Sequence, residues 1–219
     1  MGASEALRAS RGCAREVVQT RHRKAAEGVC EVYDMIRIET TCDRYLYREN
    51  LGFDEMMRAF DRHVEEHIRK RKIVCMKSVV GYYTGLKWEP VSHDEAEKNY
   101  NQHYLGYFHP KRRDKKFRDY MVYHGLELCV KHGMNFQMHT GAGDPPKCDM
   151  RLINPNDLYE LINTDLAKQV HFVVVHGGFR TPMRRRFWQP VIPMCTRTFS
   201  PHRTMREGAS DRPDRDRGS

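Results

Sequence analysis

The sequence predicts an α/β fold in which parallel strands alternate with helices, and three observations predict it. Short β-branched or apolar runs at residues 31–39, 72–80, 135–140 and 170–175 read as strands. Helical patterns lie between them, and that alternation builds parallel βαβ units. The run at 170–175 is apolar without alternation, which suits a strand covered on both faces.

In chain order, residues 4–28 are charged and rich in Ala, and read as a helix. The first strand, 31–39, ends in the carboxylate of Glu39. Phe53, Met56, Met57, Phe60, Val64 and Ile68 then recur at helical spacing, with acids early and bases late to suit the helix dipole. The second strand, 72–80, follows. Ser92 with Glu95 is a capping-box pattern, in which the Ser oxygen accepts an orphan N–H and the Glu reaches back to the cap. Residues 117–132 form the next helix, with Met121, Val122, Gly125, Leu128 and Cys129 on one face and Gly133 just past the end. After the third strand, Asn154 and Pro155 open a helix whose stripe is Leu158, Leu161, Ile162 and Leu166.

Composition bounds the function. A chain of 219 residues, 39% of them apolar, can build one core, and no internal repeat stands out. No run of about 18 apolar residues exists to span a membrane, and the N-terminal stretch lacks the apolar centre of a secretory signal. Seven Cys with no Cys-x-x-Cys pair argue against a disulfide framework and a Cys-based zinc site, and point to a reducing, cytoplasmic setting.

The net charge of +9 is unevenly placed. Residues 180–219 hold ten Arg, no Lys, four acids and five of the ten Pro, a local net charge of +6. The chain therefore divides into a helical segment at 1–30, an α/β region at 31–179, and an irregular Arg- and Pro-rich tail at 180–219. Three readings of the tail stand side by side: a solvated disordered segment, a nucleic-acid-binding arm, and translation from another frame. No nucleic-acid-binding motif accompanies the charge, which weighs against nucleic acid as a partner.

Chemistry gathers where the strands end. Lys77 and Ser78, then His139, Thr140 and Gly141, then His176, Gly177 and Gly178, close successive strands, and Glu39 closes the first. Ligands of α/β proteins bind beyond the carboxyl ends of strands. One strand-end His is ordinarily a hydrogen-bonded rim residue, but two in matching contexts could share a divalent metal. Lys77 could pair with an anionic substrate or, carbamylated, bridge metals. Glu39 could be a supporting acid, or these two could simply pair with each other. Tyr82 and Tyr83, in a glycine-flanked loop, either contact substrate or pack. His63, Glu66 and His67 match the H-x-x-E-H spacing, yet both His flank the apolar stripe of an ordinary helix. The glycine turn before Asp144 does not continue as a dinucleotide fingerprint.

The run from Lys77 to Leu86, Gln137 to Gly141 with Asp144, Asn154 and Pro155 with Leu158, and Val174 to Gly178 together resemble the amidohydrolase-related TIM-barrel proteins of the amidohydrolase 2 type. The nearest branch is the one that also forms the N-terminal domain of nodulin-type glutamine-synthetase fusions. This resemblance covers roughly residues 32–179. It implies a (β/α)8 barrel and hydrolysis of a C–N or related bond in a small molecule, with decarboxylation in related members. It further implies a divalent metal, zinc first and Mn or Fe next, held by His139 and His176. Lys77 falls at the fourth-strand position of that pattern; Lys77 and Glu39 are the candidate catalytic residues, and Tyr82, Tyr83 and Asp144 the candidates to contact substrate.

The chain departs from that pattern in lacking any His-x-His and any strand-end Asp among Glu207, Asp211, Asp214 and Asp216. Its four strands compare with the eight of a barrel. The expectation is thus a partial barrel, truncated or misframed, that binds metal weakly. An inactive fragment pairing with a second copy through open sheet edges is the alternative.

Overall fold

The computed structural model describes residues 33–46, 49–104, 113–141, 149–176 and 196–198. The helix expected at 4–28, Asp144, and all of the tail except 196–198 lie outside these residues.

The described chain runs β1 (Asp34–Arg37), α1 (Ile38–Thr40) continuing into a π-helical turn (Thr41–Leu46), then α2 (Phe53–Lys70) and β2 (Ile73–Ser78). A 3-10 turn (Val80–Tyr82) leads to α3 (His93–His103), α4 (Lys115–His132) and β3 (Asn135–His139). A 3-10 turn (Pro155–Leu158), α5 (Tyr159–Ile162), a second such turn (Ala167–Gln169), β4 (Phe172–Val175) and β5 (Thr196–Thr198) complete it. The sheet order is β1-β2-β3-β4-β5 with every neighbouring pair parallel, so the fold is α/β, as the alternation of elements predicts.

Alternation along each strand separates two faces. Ile36, Met76, Phe136, Met138, Phe172 and Val174 point into one buried core shared with the helices. Helix α2 contributes Phe53, Met56, Phe60 and Val64 to it, the stripe expected from spacing. Helix α3 begins with the capping box: Glu95 N–H donates to Ser92 Oγ, and Ser92 N–H donates to the Glu95 carboxylate. Helix α4 lies close on the sheet, since a Cβ on Gly125 would stand 2.7 Å from Ile38 Cδ1 and 3.0 Å from Met76 Sδ. It ends at Gly133, whose left-handed φ of 63° lets the following amides reach carbonyls of the last turn.

Three expectations change. The first strand is Asp34–Arg37, so Glu39 sits two residues beyond it, in α1 rather than at a strand end. The helix expected from Asn154 divides into a 3-10 turn and one α-helical turn, because Asn154 accepts from Asn156 N–H in a local turn that tightens the start. A fifth parallel strand, Thr196–Thr198, pairs with β4 inside the tail read as irregular. Three residues are too few to show a period, and the pairing edge of β4 supplies what local pattern could not. Among the described residues, no helix is long and apolar enough to cross a membrane.

Candidate metal centre

The β3 and β4 ends bring two imidazoles together. His139 is the last residue of β3 and is paired in register with Val175, the last of β4. His176 follows at once with a φ of +63°, a left-handed backbone that costs a non-glycine residue about 1–2 kcal/mol. The His139 and His176 ring centroids are 4.6 Å apart and nearly edge-to-face. Buried Thr140 fixes this pairing, its Oγ1 donating to the Val175 carbonyl at 2.7 Å. Gly141, with φ of +67°, turns the chain away and donates its N–H to the Ile153 carbonyl.

The turn after β2 supplies the third group. Tyr82 Oη is hydrogen-bonded to His139 Nε2, and the two rings lie 4.6 Å apart. Val79 and Val80 carbonyls accept from Tyr82, Tyr83 and Thr84 N–H groups, which fixes the turn. Tyr83 goes elsewhere: its ring faces the Arg118 guanidinium, 4.3 Å from its carbon. Sequence reasoning treated these two tyrosines alike, and the structure separates them.

Glu39 and Lys77 are not brought together as a pair on one face. Glu39 is buried, its Oε1 accepting from Ser78 Oγ at 2.7 Å and from Val79 N–H at 3.0 Å. Its Oε2 has no hydrogen-bond partner, with Arg37 Nε 4.0 Å away. Burial pushes its carboxyl above the ordinary range, against the opposing pull of Ser78, Val79 and Arg118. Lys77 adjoins Ser78 in β2 and by alternation takes the opposite face, in register with Arg37 on one side and Gln137 on the other. Asp144 lies outside the described residues.

A buried ionic cluster beneath Tyr83 was missed by the sequence reading. Arg118 Nε donates to Asp114 at 2.8 Å and its Nη2 donates to Asp43 at 3.1 Å, while Tyr104 Oη donates to the same Asp43 oxygen. A small cleft bordered by Glu39, Cys42 and Arg118 has room for about one water molecule. The signal was present: Arg118 stands three residues before Met121 and four before Val122, on the apolar face of α4, with Asp114 four residues earlier. A charge in an apolar stripe is buried only with partners.

Imidazoles suit Zn or Fe, whereas catalytic zinc ordinarily has three protein ligands. Among the described residues, no group of three or more His, Cys, Asp and Glu stands together. His139 and His176 could supply at most part of the ligand set of a divalent metal.

No protein-family model matches the sequence, and no curated protein matches it. The structure is similar to a crystal structure of a protein from Lactobacillus casei ATCC 334 described as a "putative metal-dependent hydrolase", with 27% identity and a TM-score of 0.58. The match covers 65% of this chain and 37% of that one, so the chain spans well under half the length of its structural neighbour. The fold over that region is metal-dependent-hydrolase-like.

Proposed function

We propose that this chain is part of a metal-dependent hydrolase of the amidohydrolase type, built on a segment of a (β/α)8 barrel. The observation that carries the reading is the approach of His139 to His176 at adjacent strand ends, where α/β barrels place catalytic groups. Likeness to the Lactobacillus casei protein supports it. His139 and His176 would hold the metal, zinc first; when bound, it supplies Lewis acidity and makes water a stronger acid at neutral pH.

The chain's own residues prepare the rest. Tyr82 orients the His139 ring, and Thr140 holds the two strand ends level. Arg37 and Lys77 stand opposite each other in register, on the face away from Ile36 and Met76. Glu39 serves as a buried brace to the end of β2 and not as a group facing substrate.

Calorimetric titration with Zn2+, Mn2+ and Fe2+ tests the proposal. The chain should take up about one metal, and His139→Ala and His176→Ala should each weaken uptake at least tenfold, in line with removing one of few ligands. Uptake unchanged in both variants contradicts it. His63→Ala with His67→Ala is the needed control, since those rings lie 4.0 Å apart on α2 and could bind metal alone.

An edge-pairing fragment is the second reading, favoured by one observation. Among the described residues β1 and β5 are outer strands of an open sheet, and such edges invite pairing with another chain. Concentration-dependent association in sedimentation velocity, unaffected by chelator, would favour it.

A further inference from the structure

The Arg118 cluster lies in a different layer from the His139–His176 pair, yet one turn joins them. Arg118 is buried on α4, and its guanidinium is gripped by Asp114 on its own helix and by Asp43 in the turn after α1. Its planar face covers the ring of Tyr83, and the Tyr104 ring lies 5.7 Å away on another side. Such a cation–π contact, away from water, gives Tyr83 one preferred place. Tyr83 is covalently next to Tyr82, and the Val80 carbonyl, accepting from Tyr83 and Thr84 N–H at 2.8 and 3.0 Å, allows little independent movement between them. Gly81 tightens the same turn, with Leu86 and Ile153 side chains 3.2 Å from where its Cβ would stand.

From the other side, Glu39 accepts from Val79 N–H and Ser78 Oγ, while Ser78 Oγ accepts from Val80 N–H at 3.2 Å. The turn is therefore clamped at its entrance by Glu39 and at its exit by Arg118. What projects between the clamps is Tyr82, with its hydroxyl on His139 Nε2.

We infer that Arg118 is a positioning residue for His139, acting through the Tyr83 ring and the Val80–Tyr82 turn to hold the Tyr82 hydroxyl on the imidazole. Its consequence for metal affinity rests on the proposed His139–His176 centre, but the positioning itself does not. Partners that orient a ligating His typically alter metal affinity 10- to 100-fold when removed. An imidazole with one nitrogen engaged by a hydroxyl also has its ring plane held by that bond.

The experiment is nitrogen NMR of histidine-labelled full-length chain in chelator, so that no metal contributes. Tyr82→Phe assigns the effect of losing the hydroxyl on the His139 ring nitrogens. Tyr83→Leu leaves the Arg118 ion pairs intact and removes only the ring, and Arg118→Lys keeps the charge but not the planar face. Both should move the His139 nitrogens in the direction that Tyr82→Phe does, with the other histidine signals and the cooperative unfolding transition retained. His139 signals unchanged in Tyr83→Leu and Arg118→Lys, while Tyr82→Phe moves them, would overturn the inference. So would signals that ignore Tyr82→Phe. If Tyr83→Leu does not fold, Arg118→Lys alone decides by the same criterion. A wild-type chain that shows the nitrogen shifts but binds no zinc supports the positioning and refutes only the metal centre. Where zinc binds, Tyr83→Leu should weaken it about tenfold.

Discussion

The Ser78 hydroxyl donates to Glu39 Oε1 at 2.7 Å, tying the residue that ends β2 to a buried carboxylate in α1. That bond is one of few that favour the charged form of Glu39, whose carboxyl burial pushes up. A carboxyl raised above its unfolded value of about 4.5 gives stability that is fully present below that value. The contribution is lost as pH rises through the folded value. Ser78→Ala removes a partner of the charged form and raises the folded value further. The variant should therefore lose about 1–3 kcal/mol, as for a buried acceptor left short of a partner. The loss should be larger at neutral pH than near pH 4.5 in urea unfolding. A loss that is the same at both pH values would show that Glu39 does not change charge between them.

Gly125 is set by packing and not by backbone conformation. An Ala there gains about 1 kcal/mol of helix propensity. Its Cβ would also press Ile38 Cδ1, Met76 Sδ and Phe136 Cε2, at 2.7, 3.0 and 3.3 Å. Overpacking of a filled core costs about 1–3 kcal/mol, so Gly125→Ala should be a net loss of about 1 kcal/mol and Gly125→Val a larger one. Denaturant midpoints measure both. A stabilised Gly125→Ala would mean that Ile38 and Met76 yield freely.

His124 clasps α4 to α2, with Nε2 on Asp61 at 2.7 Å and Nδ1 on Glu127 at 3.0 Å. Burial works to lower its pKa, but the bonds and charges of Asp61 and Glu127 outweigh it and hold the pKa above the ordinary 6.5. A raised His value means stabilisation that is complete below about 6.5 and is lost as pH rises through the folded value. His124→Gln should therefore lessen the fall in stability seen on moving from pH 6.5 into the alkaline range. Equal slopes of unfolding free energy with pH in the two proteins would contradict this.

Much of the sheet was legible because its strands repeat a local signal: β2, β3 and β4 fall within the apolar runs that predict them, and His139 and His176 follow as strand-end residues. Helices α2 and α3 were legible from one apolar stripe and one capping pair. What was not legible depends on contacts distant in sequence. Glu39 reads as a strand-end acid, and only the partnership with Ser78, 39 residues on, makes it a brace. Arg118 joins Asp43 across 75 residues, and no local period reveals such a pairing. Thr196–Thr198 is a strand only because the edge of β4 is there to pair with. The same limit separates Tyr82 from Tyr83, adjacent in sequence and committed to different layers.

The central claim is that His139 and His176 together hold one divalent metal. X-ray absorption of the zinc-loaded full-length chain, with His63 and His67 changed to Ala to remove the other paired imidazoles, measures this most directly. The account predicts scattering from two imidazoles at about 2.0–2.1 Å around one zinc, with one of the two lost in His139→Ala and in His176→Ala. A zinc shell without imidazole, or one left unchanged by both substitutions, would contradict it.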